Sequence, residues 1–157
     1  MKVVYLTRTY RFNAGHRLFD PGRDEAWNRE VFGKCSLPGG HGHNYTLEVT
    51  VRGSPDPETG QILKLEALDA AVAAVVHDRI DHRNLNEVLS KTHGPAPTTE
   101  VLILELWPLL DRLIPAPVSL HRLIVAETTK NTFEYHGPAP CQETPGFVSM
   151  PPGTRAQ

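Results

Sequence analysis

The stretch from Val31 to Leu47 holds three side chains that could do chemistry together: Cys35, His41 and His43. Successive side chains of an extended strand point to opposite faces. The two imidazoles of His41-Gly42-His43 therefore emerge on one side, with backbones roughly 6 to 7 Å apart. That separation suits two ligands of one metal ion. Gly42 has no side chain and leaves its own face open to a close neighbour. Cys35 lies upstream across the Pro38-Gly39-Gly40 turn, which folds the chain back and could stand a thiol beside the metal. Taken alone, a His-Gly-His tripeptide is often solvated, and a lone cysteine is more often a small buried hydrophobe than a nucleophile. Partners elsewhere in the chain have to decide the matter.

The elements that would supply those partners follow from periodicity. Residues 2 to 13 read as a strand, with Val4, Leu6, Tyr10 and Phe12 apolar at even positions, running into His16 between small neighbours. Residues 19 to 40 read as a long polar connection of the kind that carries function. Asn44 to Arg52 alternates as a second, half-buried strand. If the two strands pair antiparallel, His16 lands near His41 and His43 and supplies a third ligand. Gly53 to Gly60 is turn chemistry, followed by a short extended Gln61-Ile62-Leu63-Lys64.

From Leu65 onward, Leu68, Val72, Val75, Val76 and Ile80 fall at helical spacing, and the helix is expected to end around Asp81-His82-Arg83-Asn84. Thr98 is the expected N-cap of a second helix, with Glu100 favourable in its first turn. Pro108 is expected to kink or break it. Leu120 to Glu127 and Thr132 to His136 are two further strands. The order predicts an α+β domain: a four-stranded, mainly antiparallel sheet with two helices on one face. The bare face of such a sheet needs cover, which a homo-oligomer would provide.

The 157 residues suit a single domain, 1–157, with an irregular proline-rich tail over 137–157. A net charge of −2 without a block of one sign predicts no nucleic-acid and no membrane partner. The first residues turn polar too soon for a secretory signal, and no apolar run approaches the roughly 18 residues a membrane span needs, so a cytoplasmic protein is expected. Cys35 and Cys141 are then free thiols, Cys141 a bystander in the tail.

Phe12-x-Ala14-x-His16, Phe32-Gly33-Lys34-Cys35 with five residues before His41-Gly42-His43-Asn44-Tyr45, Asp81-His82-x-Asn84-Leu85, Thr98-Thr99-Glu100 and Glu127-Thr128 together resemble the 6-pyruvoyl-tetrahydropterin synthase family, over about residues 5 to 136. The resemblance implies a tunnelling fold (T-fold), in which trimers close their sheets into a barrel and stack in pairs as a homohexamer. It implies zinc, with His16, His41 and His43 as ligands, and dihydroneopterin triphosphate as substrate. It implies Cys35 as the catalytic thiol, Asp81 and His82 as its dyad, and Glu127 as the carboxylate that anchors the pterin ring. Thr98, Thr99 and Glu100 would line the pterin pocket near a subunit boundary.

Three neutral imidazoles and an open position are the usual form of a catalytic zinc site, where the metal orients and polarises hydroxyls of a bound polyol. A thiolate at Cys35, favoured by nearby positive charge, then removes a carbon-bound proton, and Asp81 holds His82 to relay it. Loss of triphosphate and internal redox rearrangement need no redox cofactor, and no Gly-rich dinucleotide fingerprint is present. Arg17 and Lys34 flank the ligand and thiol positions and are assigned to phosphate contact. The product is either 6-pyruvoyl-tetrahydropterin, on the way to tetrahydrobiopterin, or 6-carboxytetrahydropterin, on the way to queuosine. The five-residue gap between Cys35 and His41 leans to the first. A non-catalytic zinc or pterin binder is the reading of another class, against which Cys35 with Asp81-His82 argues. A ring-opening hydrolase of a related fold is the third, and an unligated cysteine fits it less well.

Overall fold

The computed structural model describes residues 2–139; Cys141 and the tail from residue 140 lie outside the described residues. Strand β1 (Val4–His16) and strand β2 (His41–Gly53) form a long antiparallel hairpin, paired residue for residue from Val4 with Gly53 to His16 with His41. Both strands run further toward the histidines than the alternation of apolar residues alone predicts. Strands β4 (Ser119–Ala126) and β5 (Thr132–Tyr135) continue the sheet antiparallel beside β2.

The expectation of four antiparallel strands needs one correction. A two-residue strand β3 (Arg83–Asn84) pairs parallel with Ala14 and Gly15, giving a five-stranded mixed sheet in the order β3-β1-β2-β4-β5. So short a strand has no periodicity to read. What holds it is the backbone N–H of His82, which donates to the Asn13 carbonyl at 2.6 Å.

The 19–40 segment is also more ordered than a loop. Helix α1 (Glu25–Phe32) starts at Asp24, whose carboxylate accepts the Trp27 N–H at 2.8 Å. A 3-10 turn at Gly33–Ser36 follows directly. Buried Asn28 ties the segment together: its amide donates to the Asp20 and Asp24 carbonyls, and its Oδ1 accepts the Asp20 N–H. Those bonds replace the apolar stripe whose absence makes the segment read as polar loop.

Helix α2 (Leu65–Val72) passes into a π-helical turn (Ala73–His77) that widens the winding before Asp81. A short helix α3 (Leu85–Val88) follows, capped by Asn84. In helix α4 (Thr99–Asp111) the Thr98 side chain accepts the Val101 N–H, as expected of the cap. The helix runs through Pro108 without a break. Pro108 is exposed, while Leu106, Trp107 and Leu110 are buried on either side of it and hold the segment to the sheet. Their packing outweighs one lost backbone hydrogen bond.

Leu68, Val72, Val76, Leu102, Leu106 and Leu110 share one core with Phe12, Tyr45, Leu47, Val49 and Val51, so both long helical segments cover the same face of the sheet. On the opposite face Thr7 and Thr50 meet hydroxyl to hydroxyl at 2.8 Å. Asp69 of α2 fastens that helix to β1. It accepts from Arg8 and from the Tyr10 hydroxyl, and burial beside the carboxylate pushes the Tyr10 phenol up to about 12.

Candidate metal centre

The hairpin register decides the site. His16 stands opposite His41, and His43 opposite Ala14, so the three imidazoles share the core face of two adjacent strands. One ring nitrogen of each lies within 4.8 Å of the others. The His16 and His41 Nε2 atoms approach to 3.1 Å. His16 Nδ1 donates to the Pro97 carbonyl at 2.9 Å, which fixes the tautomer and turns the Nε2 lone pair toward His41. Burial, then the neighbouring imidazoles, lowers the pKa of His16, with the Pro97 bond opposing; burial likewise lowers that of His41. Both effects favour the neutral form that ligates. His43 Nε2 is buried and has no hydrogen-bond partner among the described residues. A metal ion shared by the three nitrogens would satisfy it, and the donor set is the one zinc takes in catalytic sites. The residues fit the group.

Glu127 follows the last rung of the β2–β4 pairing and continues the core-facing alternation of Leu123 and Val125. Its Oε1 accepts from the Thr99 hydroxyl at 2.6 Å and lies 3.7 Å from His43 Nε2 and 3.9 Å from His16 Nε2. The carboxylate therefore stands beside the histidines. Thr98 spends its hydroxyl on the cap of α4. Glu100 is exposed at the start of that helix, and its carboxylate accepts no hydrogen bond among the described residues.

Tyr45 was legible only as an apolar strand residue. It is buried, stacked on Phe12 at 4.9 Å and set edge-on to His43 at 5.5 Å. Its pKa is raised by burial and by the Glu127 charge. Its hydroxyl is buried, with no hydrogen-bond partner among the described residues. The signal was the alternation itself, which puts residues 41, 43 and 45 on one face. With no hydrogen-bond partner for the hydroxyl among the described residues, Tyr45→Phe is expected not to lower stability in urea unfolding. A loss of about 2 kcal/mol would show the hydroxyl to be bonded.

Asp81 and His82 are brought together, Oδ1 to Nδ1 at 3.0 Å. The backbone N–H of Asn13, donating to Asp81 at 2.7 Å, is the main cause of that carboxyl's lowered pKa. His77, which has no evident partner in the sequence, sits one turn back with Nδ1 3.7 Å from Asp81 Oδ2. His82 holds a left-handed backbone, φ +57°, and is exposed, bordering a shallow depression together with His43.

Cys35 is half-buried in the 3-10 turn, its carbonyl accepting the Leu18 N–H at 3.0 Å. No hydrogen bond joins Cys35 to Asp81 or His82 among the described residues. Lys34 is exposed on the same turn. Arg17 reaches back, donating from Nε to the Ser36 carbonyl at 2.7 Å and stacking over Phe19.

Comparison with known proteins supplies the remaining finding. The family model described as 6-pyruvoyl tetrahydropterin synthase matches residues 5–138. A Drosophila melanogaster protein named 6-pyruvoyl tetrahydrobiopterin synthase is 41% identical over 138 residues, covering 88% of this chain and 82% of the relative. The human protein of that name is 35% identical over 132 residues, covering 84% and 90%. The solved structure of Caenorhabditis elegans 6-pyruvoyl tetrahydropterin synthase superposes with a TM-score of 0.80 at 35% identity, covering 88% of this chain and 98% of that one. Among the described residues no helix is long and apolar enough to cross a membrane.

Proposed function

The chain belongs to the 6-pyruvoyl tetrahydropterin synthase family, and on that premise we propose that it is a lyase that takes 7,8-dihydroneopterin triphosphate, eliminates triphosphate and releases 6-pyruvoyl-tetrahydropterin. The observation that carries the reading is the convergence of three imidazole nitrogens within 4.8 Å on one sheet face. We assign zinc to His16, His41 and His43; when bound it supplies Lewis acidity and a template for the substrate's side-chain hydroxyls.

The chain's own residues do the rest. Cys35, as thiolate, takes the proton from the carbon next to a hydroxyl. Asp81 orients His82, which carries the proton onward. Thr99 fixes Glu127 beside the imidazoles, where its charge offsets the cationic centre. Glu127 anchors the pterin ring by accepting two of its adjacent N–H donors, its Oε1 keeping a second lone pair beside the one that serves Thr99, and Thr98, Thr99 and Glu100 line the pterin pocket. The ring gains the two hydrogens that the side chain loses as it becomes a diketone, so the redox change balances within one molecule.

Among the described residues no hydrogen bond joins the thiol to the dyad of the same chain. We therefore place their meeting between subunits of a cytoplasmic homohexamer built as two stacked trimers, the assembly that would also cover the sheet's bare face.

The test is to incubate zinc-loaded protein with 7,8-dihydroneopterin triphosphate and identify the released pterin by mass spectrometry. 6-Pyruvoyl-tetrahydropterin is the expected product. A 6-carboxy product would move the chain to the other reaction of the template, and intact substrate would end the lyase reading.

A further inference from the structure

Asp81 stands between two imidazoles. His82 Nδ1 lies 3.0 Å from Oδ1, and His77 Nδ1 lies 3.7 Å from Oδ2. Oδ1 also accepts the Asn13 N–H at 2.7 Å, so that oxygen has two partners. Oδ2 accepts no hydrogen bond among the described residues, and His77 is the one basic side chain among them in ion-pair range of it.

The winding of the chain brings His77 there. The Asp78 N–H donates to the Ala73 carbonyl at 3.0 Å and the Asp81 N–H to the Val76 carbonyl at 2.9 Å, each five residues back. Such wide π turns are rare and occur frequently at functional sites. Residues four apart still share a face, which stacks His77 beside Asp81. The far end of the segment is clamped to β1, where Asn13 donates to Asp81 and its carbonyl accepts the His82 N–H at 2.6 Å. His82 holds φ +57° within that clamp. The clamp fixes the backbone of the dyad but not the twist of the Asp81 carboxylate, because the last torsion of an aspartate is broad. A second partner on the other oxygen is what would fix it. His82 depends on that twist: its side chain is 74% exposed, and its ring has no other partner among the described residues.

We propose that His77 is a positioning residue for the Asp81–His82 dyad, its imidazolium holding Oδ2 and so setting the carboxylate twist that turns Oδ1 toward His82. The proposal rests on the lyase reading for the part the dyad plays in catalysis; the pairing of His77 with Asp81 does not. The His77 and Asp81 side chains are 42% and 21% exposed, so solvent screens the pair and its effect is modest. The charge of His77 also acts with the Asn13 N–H, the main cause, and with His82 to keep the Asp81 carboxyl below its ordinary pKa, against the opposing effect of burial.

The experiment compares zinc-loaded wild type, His77→Leu, His77→Lys, Asp81→Asn and the Asp81→Asn/His77→Leu double variant. It measures kcat and KM for dihydroneopterin triphosphate, and follows the Asp81 carboxyl through a pH titration by carbon NMR. His77→Leu is expected to lower kcat about two- to fivefold at unchanged KM and zinc content. His77→Lys, which keeps a cation, should recover most of that loss. In the Asp81→Asn background His77→Leu should cost nothing further, because His77 acts only through the carboxylate. The Asp81 titration should move to higher pH in His77→Leu. Wild-type kcat in His77→Leu, or the same loss again in the Asp81→Asn background, would overturn the positioning role. Wild type that returns the pterin substrate intact while the Asp81 titration still moves would end the lyase reading and leave the pair standing; a titration that does not move would overturn the pair itself.

Discussion

His43→Ala protein is expected to fold and to lose its metal. Among the three ligands His43 is the clean one to remove. His16 is 3% exposed and bonded to Pro97, so its truncation would also open a hole in the core. His43 Nε2 has no hydrogen-bond partner among the described residues, and the cost of removing it therefore falls on the ion. Loss of a single outer-sphere partner weakens metal binding by about 10–100-fold, and deletion of one of three direct ligands should exceed that. Chelator competition on matched wild-type and variant protein measures it. Equal affinity would mean that the ion sits elsewhere.

The second large effect is expected at Cys35. Replacing a general base lowers the chemical step by about 10²–10⁴-fold. Since Cys35 is not counted among the ligands, Cys35→Ala should retain full zinc while product formation collapses. If the thiol of one subunit works with the Asp81–His82 dyad of another, mixed oligomers of Cys35→Ala and His82→Ala chains should recover part of the activity that neither homo-oligomer has. Recovery in neither mixture nor parent would place thiol and dyad in the same chain's site.

The clustering of the three histidines was largely legible in the sequence because it depends on period-two alternation and one hairpin register. Once Val4 to Phe12 and Tyr45 to Val51 pair antiparallel, His16 can only meet His41 and His43. Thr98 announced helix α4 by its hydroxyl. What stayed hidden is held by contacts distant in sequence. Helix α1 leans on buried Asn28, a polar residue no hydrophobic pattern reveals. Strand β3 is two residues long and exists only because Asn13 and Ala14 are beside it. Glu127 looks like a strand-end surface residue until Thr99, 28 positions earlier, is seen to hold it against the histidines. Arg83 shows no pattern in the chain at all; its place is set by the parallel pairing of β3 with Ala14.

X-ray absorption at the zinc edge of the loaded wild-type protein asks the central question directly. Three imidazole nitrogens at about 2.0–2.1 Å are expected, with the remaining coordination from light oxygen atoms and no sulfur. A sulfur scatterer at about 2.3 Å, or protein that retains no zinc, would contradict it, since Cys35 would then be a ligand and could not be the base.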